Sequence, residues 1–457
     1  MSRTQSGKKS RNRSEQPSDR QAEIDKPGLS ARLAAARLLA AVIDKASPLD
    51  ALTDDENGNP AYLGLPPRDR ALCRAMLMAT LRHRGSLSAL ISARLDRPLP
   101  PNARALEHLL HIGAVQIVHL SVPDSAAVDL AVTAANADPR LARFASLVNA
   151  LLRGIARMTA DERQRAMDGA ADAPDWFVEA LTRDYGAATA TAILEAHRSE
   201  AAVDLTVKND AKGWAETLSA NILPNGSVRL PPATAPIPAL PGFDDGCWWV
   251  QDAAATIPAR LLGGQPGMRI ADLCAAPGGK TAQILLTGAD VTAVDLSKSR
   301  LKRLEGNLAR LELSATTIAA DLGSWLPEEP FDAVLLDAPC SSTGTARRHP
   351  DIPWTKSDAV VEKMAALQSV LLHRCLNFVK PGGVIVFANC SLDRREGEAV
   401  ANAFTAMDGV EAMPVLDSEV PGFESAITPE GWVRTTPADW PVWGGVDGFF
   451  AARFRRI

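Results

Sequence analysis

The reading of the fold turns on MRIADLCAAPGGKTAQILL, residues 268–286. Its first half is a short apolar run that ends in small residues, its second half has the look of a helix, and Gly278 and Gly279 sit between them. A strand, a glycine-bearing turn and a helix in that order open a parallel α/β sheet. Four further strand-like runs alternate with helical stretches downstream: DVTAVDLS (290–297), ATTIAAD (315–321), FDAVLLDAP (331–339) and GGVIVFANC (382–390). Four of the five runs end in polar residues, and open α/β sheets take their ligands at the carboxyl ends of the strands.

Three nucleotide readings compete for the loop after the first strand. A P-loop requires glycine at position 274, which is Cys274, and no GxGxxG is present. What survives is the glycine pair, which lets backbone approach a ligand, and an acid, Asp295, at the end of the second strand, placed to accept hydrogen bonds from ribose hydroxyls. Asp321, ending the third strand, is in position for an adenine amine. Any one of these acids alone is an ordinary strand-end residue; the ordered set points to an adenosine ligand without a pyrophosphate, with S-adenosylmethionine the expected cofactor.

Upstream the pattern is different. Residues 1–28 are polar and basic, expected as a disordered tail without the apolar core of a secretory signal. From Leu29 to about residue 160 helix follows helix, with Ser30 as a possible first cap. LEHLLHIGAVQIV places Leu106, Leu109, Leu110, Gly113 and Ile117 on one face, and PDSAAVDLAVTAAN does the same for Val128, Ala131, Val132 and Ala135. The run RDRALCRAMLMATLRHR carries Arg68, Arg70, Arg74, Arg82 and Arg84 against one acid; a solvated face is the bland reading and a phosphate-binding patch the sharper one. Residues 161–175 turn small and polar, as a linker does. Residues 161–249 as a whole read as linker plus a small α+β segment, and 250–457 as the α/β domain.

The 457 residues, 46% hydrophobic and 23% charged, suffice for two or three cored domains, and no apolar run approaches the length of a membrane span. Six scattered cysteines without a CxxC pair argue against disulfides and zinc and for a reducing cytoplasm. A net charge of −5 means that any nucleic-acid contact must rest on local positive charge.

Taken together, DLCAAPGGKT, VDLS, DAPCSSTGT followed by RRHPDI, KPGG and NCSLDRREGE resemble the motif series of the RNA cytosine-C5 methyltransferases of the Nop2/Sun family, over about residues 250–457. ASLVNALLRGIAR, within the helical region, is similar to the RNA-binding domain of the NusB family. The resemblance implies an all-α NusB-like domain followed by a Rossmann-like methyltransferase domain, with RNA recognition as the role of residues 161–249 and catalysis as that of 250–457. It also implies small-subunit ribosomal RNA as partner, S-adenosylmethionine as cofactor, and neither metal nor membrane; the oligomeric state stays open, with a monomer expected. The cofactor residues it implies are Cys274, Ala275, Ala276, Pro277, Gly278, Gly279, Lys280, Asp295, Asp321 and Asp337. The cysteine of the CS motif, Cys390, is implied as nucleophile and that of DAPC, Cys340, as the base for release, with Asp337 and Lys280 assisting.

The chemistry suits two thiols. Carbon five of cytosine accepts a methyl group only after a nucleophile has added at carbon six, and a base must then remove the carbon-five proton. Asp393 and Glu396 fit a capping box on a helix after Cys390, whose N-terminus would lower the thiol pKa. Relatives have Thr or Tyr where Asn389 stands. A lone strand-end cysteine is usually a small buried hydrophobe, the reading for Cys73, Cys247 and Cys375. Arg347, Arg348 and His349 are the local candidates for RNA backbone contacts. Two alternatives remain: the same chemistry on transfer RNA, and a noncatalytic RNA-binding assembly factor. Exocyclic-amine methylation is disfavoured because DAPC replaces the D/N-P-P-Y/F type of motif.

Overall fold

The computed structural model describes residues 26–232 and 235–457, so residues 1–25 of the expected tail lie outside the described residues. The chain divides into two compact units, one ending at Ala170 and one running from Ala171 to Ile457.

The first unit is all-helical. Its main helices are α1 (Leu29–Lys45), α2 (Pro67–Arg82), α3 (Arg84–Ser92), α4 (Arg104–Val118), α5 (Asp124–Ala137), α6 (Ala145–Ala156) and α7 (Ala160–Met167). Helix α4 is buried on nearly every side, and Leu106, Leu109, Leu110 and Ile117 lie in the core with Val128, Ala131 and Ala135 of α5. A Cβ on Gly113 would come within 2.5 Å of Leu152 Cδ1, so the glycine is what lets α4 and α6 approach. Ser30 does not cap α1; Gly28, with φ 77°, does.

The arginine run of α2 and the start of α3 is divided between the interior and the surface. Arg70 donates to the carbonyls of Leu63 and Leu65, Arg82 is buried, and the buried Arg84 pairs with Glu107 at 2.7 Å. Arg68 and Arg74 are exposed, Arg74 donating to Thr53 Oγ1 at 2.8 Å, so the five arginines do not share one solvated face. Residues 161–167, read as the start of a linker, belong to α7: Thr159 and Glu162 close a capping box on its first turn. The small, polar composition there is that of a well-capped surface helix.

The second unit opens with α8 (Asp175–His197), interrupted at Gly186 with φ 77°. A small antiparallel sheet follows, built of β1 (Asp204–Val207), β2 (Asn221–Ile222), β3 (Val228–Arg229) and β4 (Trp248–Val250) in the order β2-β3-β1-β4. Buried Arg229 grips buried Asp204 through two bonds of 2.6 and 2.8 Å across β3 and β1.

The large sheet holds β5 (Arg269–Leu273), β6 (Asp290–Asp295), β7 (Thr316–Ala319), β8 (Phe331–Asp337) and β9 (Val379–Asn389) as a parallel set in the order β9-β8-β5-β6-β7. These are the five strands expected, each one or two residues shorter at its carboxyl end, with the last beginning three residues earlier at Val379. The short β10 (Val410–Ala412) and β11 (Val433–Thr435) both pair with β12 (Phe449–Arg456), which lies antiparallel against β9. Helices α9 (Gly279–Leu285), α10 (Lys298–Arg310), α11 (Asp358–Cys375) and α12 (Glu398–Thr405) accompany the sheet, which buries an apolar cluster on each face.

The chain leaves β5 in one direction, through β6 and β7, and returns on the other side as β8 and β9. The strand order therefore reverses between β5 and β8, and a crevice at such a point is where this architecture binds ligands.

Candidate active site at the carboxyl edge of the sheet

Strands β8 and β9 are parallel neighbours, with Asp337 level with Ala388. Three residues past Asp337 stands Cys340, and two past Ala388 stands Cys390. The register thus delivers both cysteines to the same edge, where their sulfurs are 3.5 Å apart and both residues are half-buried. The loops that carry them are joined backbone to backbone: Gly344 N–H donates to Cys390 O at 2.9 Å, and Gly448 N–H donates to Gly344 O at 2.9 Å.

The two thiols are electrostatically unequal. Hydrogen bonding to Cys340 holds the Cys390 thiol below its ordinary pKa against the opposing effect of burial, with Ser342 and Lys280 adding to the lowering. Cys340 is pushed well up by its hydrogen bond to Cys390, by burial and by the nearby negative charges of Cys390 and Glu396. When the pair loses one proton, these directions favour Cys390 as the thiolate and Cys340 as the thiol that donates to it.

Lys280, the last residue of the glycine loop's motif, donates to Asp337 Oδ2 at 2.7 Å and lies over the Phe449 ring at 5.0 Å. Burial works against the lysine's charge, but Asp337 outweighs it and the net shift is upward. Lys280 is charged and committed to Asp337.

The cofactor candidates line the adjoining crevice. Cys274 adopts φ 60° and Gly278 φ 102°, which turns the loop sharply out of β5. The carbonyls of Ala276 and Pro277 are held by Arg300 and Asn307 of α10. Asp295, buried at the end of β6, accepts from Ala276 N–H at 3.3 Å and Ser297 N–H at 3.0 Å. Asp321 is exposed and accepts from Gly323 N–H at 2.8 Å.

Asp272, within β5, is fully buried. One of its oxygens accepts from Thr281 Oγ1 at 2.6 Å and the other has no partner among the described residues. Burial raises its pKa to about 7 despite the Thr281 bond. The crevice presents the carboxylates of Asp295, Asp321 and Asp337, with Lys280 paired to Asp337 and Arg300 3.3 Å from Asp295. Such a set fits the hydroxyls and amines of an adenosine and a cationic sulfonium group.

Two expectations need correction. Arg347 and Arg348 do not present themselves to RNA. Arg347 is 1% exposed and donates to Gly444 O at 2.6 Å and to Asp447 at 3.4 Å. Arg348 reaches Asp447 at 2.8 Å, Asp252 at 2.6 Å and Ala202 O at 2.9 Å. The two arginines neutralise two buried carboxylates and tie the loop after Cys340 to the strand-flanking segments around 202, 252 and 447. The run RRHP has the composition of a surface patch; the acids that claim it lie about a hundred residues away in sequence, so the sequence carried no sign of them.

Asp393 and Glu396 form no capping box either, because the helix after Cys390 begins only at Glu398, with Gly397 as its cap. Glu396 is fully buried and turns back to the cysteine loops. The lowered thiol of Cys390 owes nothing to a helix N-terminus.

Asn389 is accounted for. Fully buried, it donates to Glu396 O at 2.8 Å and accepts from Ser391 N–H at 3.0 Å, so its amide shapes the loop that presents Cys390. Cys73 and Cys375 are buried, as a core reading requires, while Cys247 is half-buried. Phe449 and Arg434, which donates to Ser391 O and pairs with Glu398, carried no readable sign. The strand-end acid Asp272 did, being visible in ADLC.

Residues 259–455 match the model of a family described as 16S rRNA methyltransferase RsmB/F, and residues 29–157 match that of the NusB family. The ribosomal RNA small subunit methyltransferase B of Vibrio vulnificus (strain YJ016) is 35% identical over 418 residues, 86% of this chain and 95% of its own. That of Cronobacter sakazakii (strain ATCC BAA-894) is 34% identical over 451 residues, 94% of this chain and 99% of its own. Among solved structures, PH0851 aligns with a TM-score of 0.70 at 20% identity, covering 94% of this chain and 98% of that one. NSun6 from Pyrococcus horikoshii with SFG aligns with a TM-score of 0.52 at 19% identity, covering 62% of this chain and 98% of that one. At such identities the likeness conveys a shared fold.

Proposed function

The chain belongs to the 16S rRNA methyltransferase RsmB/F family of S-adenosylmethionine-dependent enzymes, and on that premise we propose that it forms 5-methylcytosine in 16S ribosomal RNA through a covalent Cys390–cytosine adduct. The observation that carries the reading is the pair of thiols 3.5 Å apart beside the Lys280–Asp337 ion pair.

In this reading Cys390, the thiol with the lowered pKa, enters as thiolate. Its sulfur forms a bond to carbon six of the cytosine, and the ring's electrons move toward carbon five. S-adenosylmethionine, when bound, supplies the electrophilic methyl group; Asp295, Asp321 and the 274–280 loop would hold it. Asp337, oriented by Lys280, takes the polar edge of the base.

The thiol pair then explains its own timing. Once the Cys390 sulfur is a thioether it carries no negative charge, and the first cause of the raised Cys340 pKa is gone. Cys340 can then lose its proton to solvent and take the one on carbon five. The electrons of that C–H bond restore the ring double bond, the S–C6 bond breaks, and Cys390 leaves as thiolate. Per turnover the protein returns to its starting protonation and one proton reaches solvent.

The helical unit, with its NusB-family match, is proposed as a platform for the RNA, and the 175–249 segment as part of the surface around the target base. A base in a duplex would have to be unstacked to reach a half-buried thiol, which favours unpaired rRNA. A protein that modifies ribosomal RNA acts where that RNA is made and assembled, and the cytoplasm is the compartment proposed for it.

The test is a denaturing gel of wild type, Cys340→Ala and Cys390→Ala, each mixed with unmodified 16S RNA and S-adenosylmethionine. An RNA-linked protein band is expected with Cys340→Ala and none with Cys390→Ala. A band that follows Cys390→Ala instead reverses the roles. Absence of both adduct and methyl transfer, with 16S and transfer RNA alike, overturns the enzymatic reading.

A further inference from the structure

One carboxylate bridges the residues that follow both cysteines. Glu396 is fully buried. Its Oε2 accepts from Ser341 N–H and from Gln368 Nε2, each at 2.9 Å. Its Oε1 accepts from Ser391 Oγ at 2.8 Å and from Ser341 Oγ. Ser341 and Ser391, both fully buried, are the immediate successors of Cys340 and Cys390, and their hydroxyls also lie 3.1 Å apart. We propose that Glu396 is a positioning residue that holds the Cys340 loop at the distance from Cys390 required for proton removal, and so governs release of the RNA more than its capture.

The asymmetry follows from counting the other ties on each loop. The Cys390 loop keeps several without Glu396's carboxylate: Asn389 Oδ1 accepts from Ser391 N–H, Thr343 Oγ1 from Leu392 N–H at 2.9 Å, and the carbonyls of Ser391 and Leu392 accept from Arg434 and from Tyr185 at 2.6 Å. The Cys340 loop is anchored at its two ends, by Ala338 N–H on Ala388 O at 2.8 Å and by Gly344 N–H on Cys390 O at 2.9 Å, while between these ends Glu396 holds both the amide and the hydroxyl of Ser341. Gln368, which also donates to Pro339 O at 2.8 Å, is fixed by the same carboxylate.

Without the carboxylate, the buried Ser341 N–H loses its acceptor and the segment 339–341 can drift while Cys390 stays in place. Addition needs the Cys390 thiolate, which the bond from Cys340 favours but does not supply; elimination needs the Cys340 sulfur itself within reach of the carbon-five proton, so it is the more sensitive of the two to where that loop stands. Misplacement by about an ångström costs on the order of 10- to 100-fold in rate, and here the cost falls on elimination.

This inference rests on the covalent reading above, and its test separates the two. Full-length wild type, Glu396→Ala, Glu396→Gln and Ser341→Ala are mixed with unmodified 16S RNA and S-adenosylmethionine, and methylated free RNA and RNA-linked protein are followed in parallel. With Glu396→Ala, release is expected to fall on the order of 10- to 100-fold while the linked band, containing methylated RNA, accumulates with both cysteines intact. Glu396→Gln keeps an acceptor oxygen and is expected to accumulate less. The band must vanish in the Glu396→Ala, Cys390→Ala double variant.

Loss of capture and release in equal proportion would make Glu396 merely structural and overturn the proposal, as would wild-type turnover without a band. Should Glu396→Ala fail to fold, Ser341→Ala decides in the same assay: a band supports the positioning role and its absence overturns it. If wild type transfers no methyl group and Cys340→Ala traps nothing, the covalent reading has failed and this inference fails with it.

Discussion

Replacing Arg348 with alanine is expected to unfold the catalytic unit more easily without touching the salt dependence of RNA binding. The guanidinium makes three bonds of 2.6 to 2.9 Å, to Asp252, Asp447 and Ala202 O. Its removal leaves Arg347, 3.9 Å from Asp252 and 3.4 Å from Asp447, as one cation for two buried carboxylates. Breaking a buried pair by removing one partner costs about 3–5 kcal/mol, because the other charge stays behind uncompensated. For a unit of this size that is a fall in Tm of about 6–20 °C. Asp447 is already raised in pKa by burial and by Asp252, so it is the group that protonates when Arg348 is gone, and the deficit is expected to be smaller at pH 5 than at pH 8. Thermal and urea melts at both pH values measure the stability, and RNA binding across a salt series measures the contacts. A phosphate contact on a single strand contributes about 0.7 to the slope of log K against log salt. A variant with unchanged Tm and a slope reduced by that much would refute the internal-network account and restore Arg348 to the RNA surface.

Two further outcomes follow from single residues. Asp272 has a folded pKa of about 7, above its unfolded value of 3.8, so the native state binds the extra proton and the stability due to this group is full below pH 4 and lost as pH rises through 7. At about 1.4 kcal/mol per unit, the loss is about 4 kcal/mol; Asp272→Asn should flatten the decline in stability between pH 5 and 8, and a variant that declines as wild type does would contradict it. A Cβ at Gly344 would lie 2.0 Å from Gly448 O and 2.8 Å from Cys390 O, both backbone atoms. Gly344→Ala should therefore cost about 1–3 kcal/mol in a urea melt and, by prying apart the loops that carry the thiols, on the order of 100-fold in methyl transfer; wild-type transfer would show that the loops tolerate separation.

The parts of the site readable in the sequence are those whose position depends on a strand's own end. Cys340, Cys390, Asp295 and Asp337 each lie at or within three residues of the carboxyl end of a parallel strand, so locating the strands located the residues. The five parallel strands were legible because each is an apolar run bounded by turns and helices. β12 was not, since FFAARFRR resembles a sixth run without stating that it enters antiparallel beside β9.

Charge was where local reading failed, and it failed in one direction. Arg70, Arg84, Arg347, Arg348 and Glu396 each look like surface chemistry or a helix cap beside their sequence neighbours. Each is instead drawn inward by partners such as Glu107 for Arg84, Asp447 for Arg348 and Ser341 for Glu396, 23, 99 and 55 residues away. A buried ion must be paired or hydrogen-bonded, but which group pairs with it is settled by the fold. The same rule makes these residues informative once the fold is known: a carboxylate kept fully buried between Ser341 and Ser391 is costly to bury unless its bonds hold something in place, and what those bonds hold is the spacing of the two thiols.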